Sequence, residues 1–289
     1  MEEEESLIKK VKHLLKEANA PKRLHRFGPK MYDLWHHVFA LFVRTYCQLS
    51  YRRTTKFLKL LGFKCPTKST IQRYADKLRL PFWQSILQKT IAPIELLSID
   101  GSGFERTTAS MHYCRRIDSM KPYAKGFHVS IAVNEKGNIN GIRIRSKPAH
   151  DVKDVKFLLR NLKSTPKFGL LDKGYDAEWI HAALHKRGII PQIPRRKNAR
   201  RGFFRKRMLF DKNIYSQRNI VESTFHAIKQ KFGASVSSKL ITSARSDMYC
   251  RAILHNLFVL ITRLLGQSQK LRNISSDWEL YLLGTKLFF

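Results

Sequence analysis

Two short apolar segments, each followed directly by an aspartate, constrain the fold of this chain most. Residues 94–99 precede Asp100, and residues 168–171 precede Asp172. Apolar runs of this length, bounded by glycine-containing turns, are typical of buried β-strands. Further strands are predicted at 112–117, 127–133, 139–144 and 189–193. Helices predicted at 152–162 and 177–187 alternate with the later strands, so the sequence predicts an α/β fold with a mixed sheet flanked by helices.

The first 90 residues are predicted to be helical. Residues 51–61 and 70–80 are two amphipathic segments separated by Gly62, which is the plan of a helix-turn-helix at about 51–80. An ordinary pair of antiparallel helices would give the same pattern. In this basic segment we favour DNA binding, and the groove-facing candidates lie near the start of the second helix: Lys68, Ser69, Thr70, Gln72 and Arg73. The sequence thus divides into a small all-α DNA-binding region, 1–90, and a larger α/β domain, 91–289.

The excess of positive charge indicates a polyanionic partner. The 289 residues include 55 Lys and Arg against 22 Asp and Glu, and the formal net charge is +33. Such a surface repels itself unless an anion neutralises it, and nucleic acid is the usual one. Ribosomal and membrane-surface proteins carry similar charge, but 43% hydrophobic residues predict a larger core than small ribosomal proteins need. We therefore expect a nucleic acid as the partner.

Cysteine spacing and the most apolar stretch argue against several other classes. The four cysteines are far apart and form no Cys-x-x-Cys pair, which disfavours a zinc finger and a disulfide scaffold. Residues 248–265 are the most apolar, but arginine, histidine and asparagine interrupt them, so they predict a buried helix rather than a membrane span. Met1 is followed by four glutamates instead of a signal peptide. We expect a cytoplasmic, nucleoid-associated protein with no membrane partner.

A polar stripe lies in residues 215–229, which read Y-S-Q-R-N-I-V-E-S-T-F-H-A-I-K. If these residues form one helix, a rotation of about 100° per residue brings four side chains within about 60° of one another: Tyr215, Arg218, Glu222 and Lys229. Apolar residues elsewhere in the segment can bury the helix. A single glutamate on a basic stripe is usually a salt-bridged surface residue, and for this helix alone that interpretation stays open.

Three carboxylates gain a shared interpretation from their positions. Asp100 and Asp172 each follow a predicted strand, and Glu222 lies on a later helix. Because reactive groups of open α/β sheets lie at strand ends, the two aspartates can be close together and the helix can place Glu222 beside them. Each aspartate alone is equally well explained as a turn residue. Three adjacent acids require a cation between them, and oxygen ligands suit Mg²⁺ or Mn²⁺. Two such ions about 3.5–4 Å apart would clamp the attacking and leaving oxygens of a phosphodiester.

The most basic segment is 195–207, R-R-K-N-A-R-R-G-F-F-R-K-R. A run of like charge is often disordered, but this one is internal and contains Phe203 and Phe204. We predict a loop that is ordered against the DNA backbone and bases. Its candidate DNA-binding residues are Arg195, Arg196, Arg200, Arg201 and Arg205.

These residues together resemble the DDE transposases of bacterial and archaeal insertion sequences. The resemblance spans roughly residues 94–265 and rests on Asp100 in S-I-D-G-S, Asp172 in L-L-D-K-G-Y-D, and a Y-x2-R-x3-E-x6-K signature at Tyr215, Arg218, Glu222 and Lys229. The signature together with two upstream strand-end acids is specific, whereas either part alone is weak. The resemblance implies an RNase H-like catalytic domain over 91–289.

The same resemblance implies the chemistry and, as the partner, double-stranded DNA. Asp100, Asp172 and Glu222 would bind two Mg²⁺ or Mn²⁺ ions. Arg218 and Lys229 would hold DNA phosphates, as their charge suggests independently, and Tyr215 would lie at the DNA end. The implied reaction is hydrolysis at the terminal inverted repeats of the element, followed by attack of the freed 3′-hydroxyl on target DNA, within a synaptic complex that suggests a homodimer.

One departure from the resemblance concerns the segment before the glutamate. Many relatives carry a long β-rich insertion there, but only 49 residues lie between Asp172 and Glu222, and segment 195–207 fills the place. End-processing steps assigned to that insertion are therefore not implied for this chain. Phe203 or Phe204 is a candidate substitute.

Two other functions are compatible with these residues. One is a catalytically idle, sequence-specific DNA-binding protein derived from a transposase. The other is a metal-dependent endonuclease without strand transfer. The presence of all three acids favours an active enzyme over an idle binder.

Overall fold

A computed structural model describes residues 4–25, 27, 30–106, 126–146, 150–197, 201–238 and 240–271. The strand predicted at 112–117 and the candidate Arg200 lie outside these residues. Before the first strand, the described residues form five α-helices: α1 (Glu4–Glu17), α2 (Leu34–Tyr46), α3 (Tyr51–Leu60), α4 (Lys68–Lys77) and α5 (Leu80–Leu87). The predicted all-α region before the sheet is therefore present.

Helices α3 and α4 form the pair that the sequence predicts. Ser50 begins α3, and its Oγ accepts a hydrogen bond from Arg53 N at 3.3 Å. In the turn after α3, Gly62 has φ +77, a left-handed conformation that glycine adopts without strain. Ile71 and Ala75 bury one side of α4. The exposed residues of α4 include four candidates for DNA contact, which stays a prediction: Lys68, Ser69, Gln72 and Arg73.

In the described part of the chain, six strands form one mixed sheet: β1 (Leu96–Arg106), β2 (Gly126–Asn134), β3 (Ile139–Arg145), β4 (Phe168–Leu171), β5 (Ile190–Gln192) and β6 (Ser235–Val236). The strand order is β3-β2-β1-β4-β5, and β6 pairs with the end of β1. β1, β2 and β3 are antiparallel to their neighbours in this meander. β4 runs parallel to β1, β5 runs parallel to β4, and β6 runs parallel to β1.

Strand β1 is longer than the sequence predicts. It continues past Ile99 to Arg106, because its residues from Leu97 to Glu105 all pair with β2. Asp100 therefore lies inside β1 and not at its exit. The parallel pairing with β4 does end at Ile99, opposite Leu171.

Helices cover both faces of the sheet. Among the described residues, six helices follow in chain order: α6 (Val152–Arg160), α7 (Glu178–His185), α8 (Phe203–Arg207), α9 (Lys212–Ser216), α10 (Asn219–Phe232) and α11 (Ile241–Leu271). Leu97 and Ile99 of β1 pack with α6 and α7 in one hydrophobic cluster. Val129 and Ile131 of β2 pack with α10 and α11 in the other, as alternation along a strand requires. The mixed sheet, its flanking helices and the preceding all-α region confirm the predicted fold class.

Helix α11 joins the N-terminal helices to the sheet. The side chain of Asn256, which is fully buried, accepts a hydrogen bond from Ile139 N at 2.7 Å and donates one to Ile139 O at 2.9 Å. It thereby satisfies backbone groups at the outer strand of the sheet. Arg44 of α2 forms a buried ion pair with Asp247 of α11 at 2.9 Å. One hydrophobic cluster runs from α1 through α11 to the sheet, and the division at residue 90 stays a prediction.

Residues 248–265, which the sequence predicts as a buried helix, lie within α11. Among the helices of the described residues, none is both long and apolar enough to span a membrane.

His37 connects α2 to α4. Its imidazole stacks on the ring of Tyr74 with a centroid distance of 3.5 Å, and its side chain is buried. Burial, with a smaller contribution from the neighbouring His36, lowers the pKa of His37 from 6.5 to about 4. The folded protein therefore favours the neutral imidazole.

We expect the free energy of unfolding to fall as the pH decreases from 6.5 to about 4, because the unfolded chain then binds a proton that folded His37 does not. The stability that depends on neutral His37 is therefore fully present above pH 6.5, the pKa in the unfolded chain. It is lost as the pH falls towards about 4, the pKa in the folded protein. His37→Phe should reduce this dependence, while the exposed control His13→Phe should retain it. Urea unfolding at neutral and mildly acidic pH measures the difference. An unchanged dependence in His37→Phe would contradict the assignment.

Candidate active site

Asp100 and Asp172 lie side by side because their strands pair in parallel. The last paired residues are Ile99 and Leu171, and each aspartate comes next along its chain. Each carboxylate accepts a hydrogen bond from the next main-chain amide. Gly101 N donates to Asp100 Oδ1 at 2.8 Å, and Lys173 N donates to Asp172 Oδ1 at 2.6 Å. The pairing of β1 with β4 thus brings together two residues that are far apart in the sequence.

The electrostatics of Asp100 reflect this proximity. Burial raises the pKa of Asp100, and the negative charges of Asp172 and Asp151 add to the rise. The amide of Gly101 and the guanidinium of Arg218 oppose it without cancelling it. Burial first, and the neighbouring carboxylates second, therefore disfavour the ionised form of Asp100.

Arg218 connects Glu222 to the aspartates. Its guanidinium donates to Asp100 Oδ2 at 3.2 Å and also to Glu222 Oε1. Arg218 immediately precedes α10 and Glu222 lies in its first turn, so the two side chains share one face. Burial alone would lower the pKa of Arg218, but the facing Tyr215, Glu222 and Asp100 raise it. The guanidinium is therefore a permanent cation between two of the three acids.

The predicted stripe 215–229 is divided between two helices, so the prediction of a single helix is wrong. Tyr215 lies on α9, whereas Glu222 and Lys229 lie on α10. Between them, Arg218, Ile220 and Val221 make i→i−3 backbone hydrogen bonds. These tighter bonds interrupt the i→i−4 ladder that a continuous helix requires.

Tyr215 nevertheless adjoins the acids. Burial raises the pKa of Tyr215, and the charges of Asp172 and Glu222 raise it further, while Arg218 opposes them. The ring also packs against Phe210, with centroids 5.2 Å apart. Tyr215 therefore lies near the acids although it does not share a helix with Glu222.

Lys229 contacts strand β1 beyond the acids. It lies about two helical turns after Glu222, and its Nζ donates to Ser102 Oγ at 2.7 Å. Ser102 is two residues after Asp100, so both side chains are on the same face of β1. Lys229 therefore provides a second positive charge, displaced along the strand from the carboxylates.

His128 and Asp151 also adjoin the site, although they were not predicted from the sequence. His128 Nε2 lies 2.6 Å from Asp151 Oδ1. A Cβ on Gly101 would lie 2.8 Å from His128 Nε2 and 2.9 Å from the Asp151 carboxylate, so a larger residue there would require these two side chains to move. Asp151 resembles any acidic residue at the start of a helix, and no pattern in the sequence distinguishes it.

The three acids have donor atoms of the kind that divalent cations bind, but the structure does not arrange them as a metal site. Asp100, Asp172 and Glu222 offer carboxylate oxygens, which Mg²⁺ and Mn²⁺ prefer, and the site already attracts a cation in the form of Arg218. In the part of the chain that the structure describes, no group of three or more His, Cys, Asp or Glu residues is arranged to hold a metal ion. The Arg218 guanidinium stands between two of the acids, so it must move before the three can share ions.

The described parts of the basic segment, 195–197 and 201–207, contact the turn that carries Asp172 and its surroundings. Arg196 Nε donates at 3.0 Å to a carbonyl of that turn, and Arg205 Nε donates at 2.7 Å to the buried carboxylate of Asp176. Arg195 donates to two carbonyls at the end of α8. Three of the five predicted DNA contacts in this segment thus make bonds within the chain. Of the other two, Arg201 is exposed and Arg200 lies outside the described residues.

The four candidates on α4 belong to a different part of the molecule. Helix α4 packs against α2, α3 and α11, and the structure does not bring its exposed face to the carboxylates.

Comparison with known proteins identifies a family for most of the α/β part. A family model described as the transposase DDE domain matches residues 91–257, more than half of the chain. No curated protein matches. Among solved structures, the cryo-EM structure of the piggyBac transposase synaptic complex with hairpin DNA matches with a TM-score of 0.49 and 11% identity, covering 91% of this chain and 73% of that chain. A likeness this weak supports no inference about what this chain binds.

We expect Arg218→Gln to lower the melting temperature of the metal-free protein by about 2–4 °C, because Asp100 and Glu222 lose the cation between them. Calorimetry in EDTA measures this change. Added Mg²⁺ should stabilise the variant at least as much as the wild type, since no guanidinium competes with it. The exposed control Arg201→Gln should melt like the wild type. An unchanged melting temperature in Arg218→Gln would refute the bridging role.

Proposed function

The chain belongs to the transposase DDE domain family, and we propose that it is the transposase of a prokaryotic insertion sequence. It would cut DNA at the ends of the element and join the freed ends to target DNA. One observation carries the proposal: Asp100 and Asp172 directly follow the last pair of the parallel β1–β4 register, and Arg218 links Glu222 to Asp100. Adjoining carboxylates in a strongly basic chain suit cations that act on phosphodiesters.

Asp100, Asp172 and Glu222 are the proposed ligands of two Mg²⁺ or Mn²⁺ ions. When bound, such ions would activate the attacking oxygen and stabilise the leaving oxygen of a phosphodiester. The amide hydrogen bonds to the two aspartates fix one oxygen of each carboxylate. These side chains therefore lose little conformational freedom when they bind a cation.

Arg218 and Lys229 are the proposed phosphate contacts. When the acids take up their ions, the Arg218 guanidinium would leave Asp100 and Glu222 and bind a DNA phosphate, for which its planar fork is suited. Lys229, held by Ser102, would neutralise a phosphate further along β1. Tyr215, beside Arg218, would contact the DNA end. These groups position charge rather than supply a nucleophile.

The proposed partner is double-stranded DNA. Helix α4 would read the terminal inverted repeats of the element through Lys68, Ser69, Gln72 and Arg73, while the basic α/β surface would hold flanking and target DNA. The net charge of +33 supports tight, salt-sensitive binding. Because two element ends must be joined, we propose a homodimer in the synaptic complex.

We expect Asp172→Asn to lower Mg²⁺-dependent cleavage of a duplex that carries the terminal repeat by about 1000-fold or more, because a metal ligand is lost. Its affinity for the same duplex should change by less than about threefold, because phosphate contacts dominate binding. Cleavage and gel-shift assays measure the two effects. Asp33→Asn is the matched control, since asparagine also caps a helix well. Equal cleavage by Asp172→Asn and wild type would refute the metal assignment.

The same assays separate the other functions. A wild-type protein that binds the repeat but cleaves no duplex would be an idle DNA-binding protein. Cleavage without joining to a target plasmid would indicate an endonuclease that lacks strand transfer.

We expect the double variant Gln72→Ala/Arg73→Ala to lose selectivity for the terminal repeat. Each lost base contact should cost about 1–3 kcal/mol on the specific duplex and little on unrelated DNA. Competition binding at fixed salt measures the ratio of the two affinities. Point changes are preferable to deletion of the first 90 residues, because α1–α5 share a hydrophobic cluster with α11. The exposed pair Lys56→Ala/Lys59→Ala on α3 is the control, and retained selectivity in the α4 variant would contradict base reading by this helix.

A further inference from the structure

The carboxylate of Asp176 joins the turn that carries Asp172 to the basic segment. Its side chain is 0% exposed. It accepts hydrogen bonds from Arg205 Nε at 2.7 Å and from Arg196 N at 2.8 Å, and it shares one with His181 Nε2 at 3.1 Å. Burial alone would raise the pKa of Asp176, but these partners lower it. Removing one partner from a buried carboxylate leaves its charge without compensation and strongly destabilises the fold. The hydrogen bonds to Asp176 are therefore expected to stay formed in the folded protein.

Arg196 continues the connection towards Asp172. While its amide donates to Asp176, its guanidinium donates to Lys173 O at 3.0 Å and to Gly174 O. Both carbonyls belong to the short 3-10 turn Lys173–Tyr175, which Asp172 caps. Arg196 therefore clamps the turn on which the orientation of Asp172 depends.

Glu178 fixes the other end of the basic segment. Its carboxylate accepts hydrogen bonds from Phe204 N at 2.8 Å and Arg205 N at 3.2 Å, so the first turn of α7 caps α8. Gly202 precedes α8 with φ +133, and a Cβ there would collide with the Glu178 carboxylate. The close contact requires glycine at this position.

The docked helix α8 directs other side chains outward. Phe203 is 57% exposed, and the Arg207 guanidinium lies 3.9 Å from its ring centroid. Phe204 instead packs on His185, with centroids 5.1 Å apart. An exposed ring with an adjacent guanidinium is suited to nucleic acid, and of the two candidate phenylalanines it is Phe203 that is available.

We propose that Asp176 is a positioning residue of the active site: through Arg196 and Arg205 it holds the Asp172 turn in a fixed relation to α8. DNA held by Phe203 and Arg207 would then lie in register with the acids. The inference rests on the proposed function and deepens it. It also gives Arg196 and Arg205 a role inside the protein, while their contact with DNA stays a prediction. A displacement of about 1 Å between bound DNA and the acids would lower the rate about 100-fold.

Hydrogen exchange tests the connection without any activity. Asp176→Asn should raise amide exchange by about tenfold in two peptides together, one spanning 171–177 and one spanning 201–208, because one buried charge holds both. Arg207→Gln and the matched Asp33→Asn should leave exchange in 171–177 at the wild-type rate. An increase confined to 201–208, or no increase in either peptide, would overturn the proposal. If Asp176→Asn fails to fold, Arg205→Lys serves instead, since lysine keeps the charge but loses the paired bonds to Asp176.

Single-turnover cleavage gives the second readout. At saturating DNA, Asp176→Asn should cleave at least about tenfold more slowly, while its affinity for the duplex changes by less than about threefold. A loss of affinity with an unchanged rate at saturation would indicate a contact to DNA and overturn the positioning role. If the wild type cleaves no DNA, the proposed function fails, yet the exchange experiment still decides the role of Asp176. If the wild type cleaves and the two peptides respond independently, only the inference about Asp176 fails.

Discussion

The parallel pairing of β1 with β4 is the interaction on which the rest of the site depends. It ends at Ile99 and Leu171, and this register sets Asp100 beside Asp172. β1 must continue past Asp100 to pair with β2, so the aspartate lies inside a strand held by backbone hydrogen bonds. That rigidity makes the position of one carboxylate independent of loop conformation. Helix α10 then places Glu222, Arg218 and Lys229 next to two aspartates whose positions the sheet has already fixed.

Arginine compensates negative charge throughout this region. Arg218 bridges Asp100 and Glu222, and Arg205 reaches the buried Asp176. Asp154, also buried, pairs with Arg143 and Arg145. Buried acids without such partners would be strongly destabilising. Part of the large positive charge is thus paired with acids of the protein itself. Counting basic residues in a sequence therefore does not show how much of the charge is compensated within the fold.

The strands at 94–99 and 168–171, the helical region before them and the α/β class were all predictable, because each depends on local hydrophobic periodicity. The single-helix geometry predicted for the stripe 215–229 is wrong, while the roles of its residues stay a prediction. Its four side chains suit one helix face, yet i→i−3 bonds divide the segment, and a periodic pattern does not reveal such a break. His128 and Asp151 were missed because their contact joins β2 to the start of α6 across Gly101, and neither residue stands out within its own segment.

The sequence by itself determined the acids, their places after short apolar segments, the basic excess and the resemblance carried by the signature. Only the tertiary structure decided which of the acids lie close together and which arginine and lysine side chains pair with them. Arg196 and Arg205 look equivalent to Arg201 in a run of arginines, but the fold commits the first two to the Asp172 turn and Asp176. The physical reason is that periodicity specifies the backbone over a few residues. Contacts between residues 23 to 118 positions apart, such as those of Arg196 and Arg218, depend instead on strand register and helix docking, which are set by burial of the whole core.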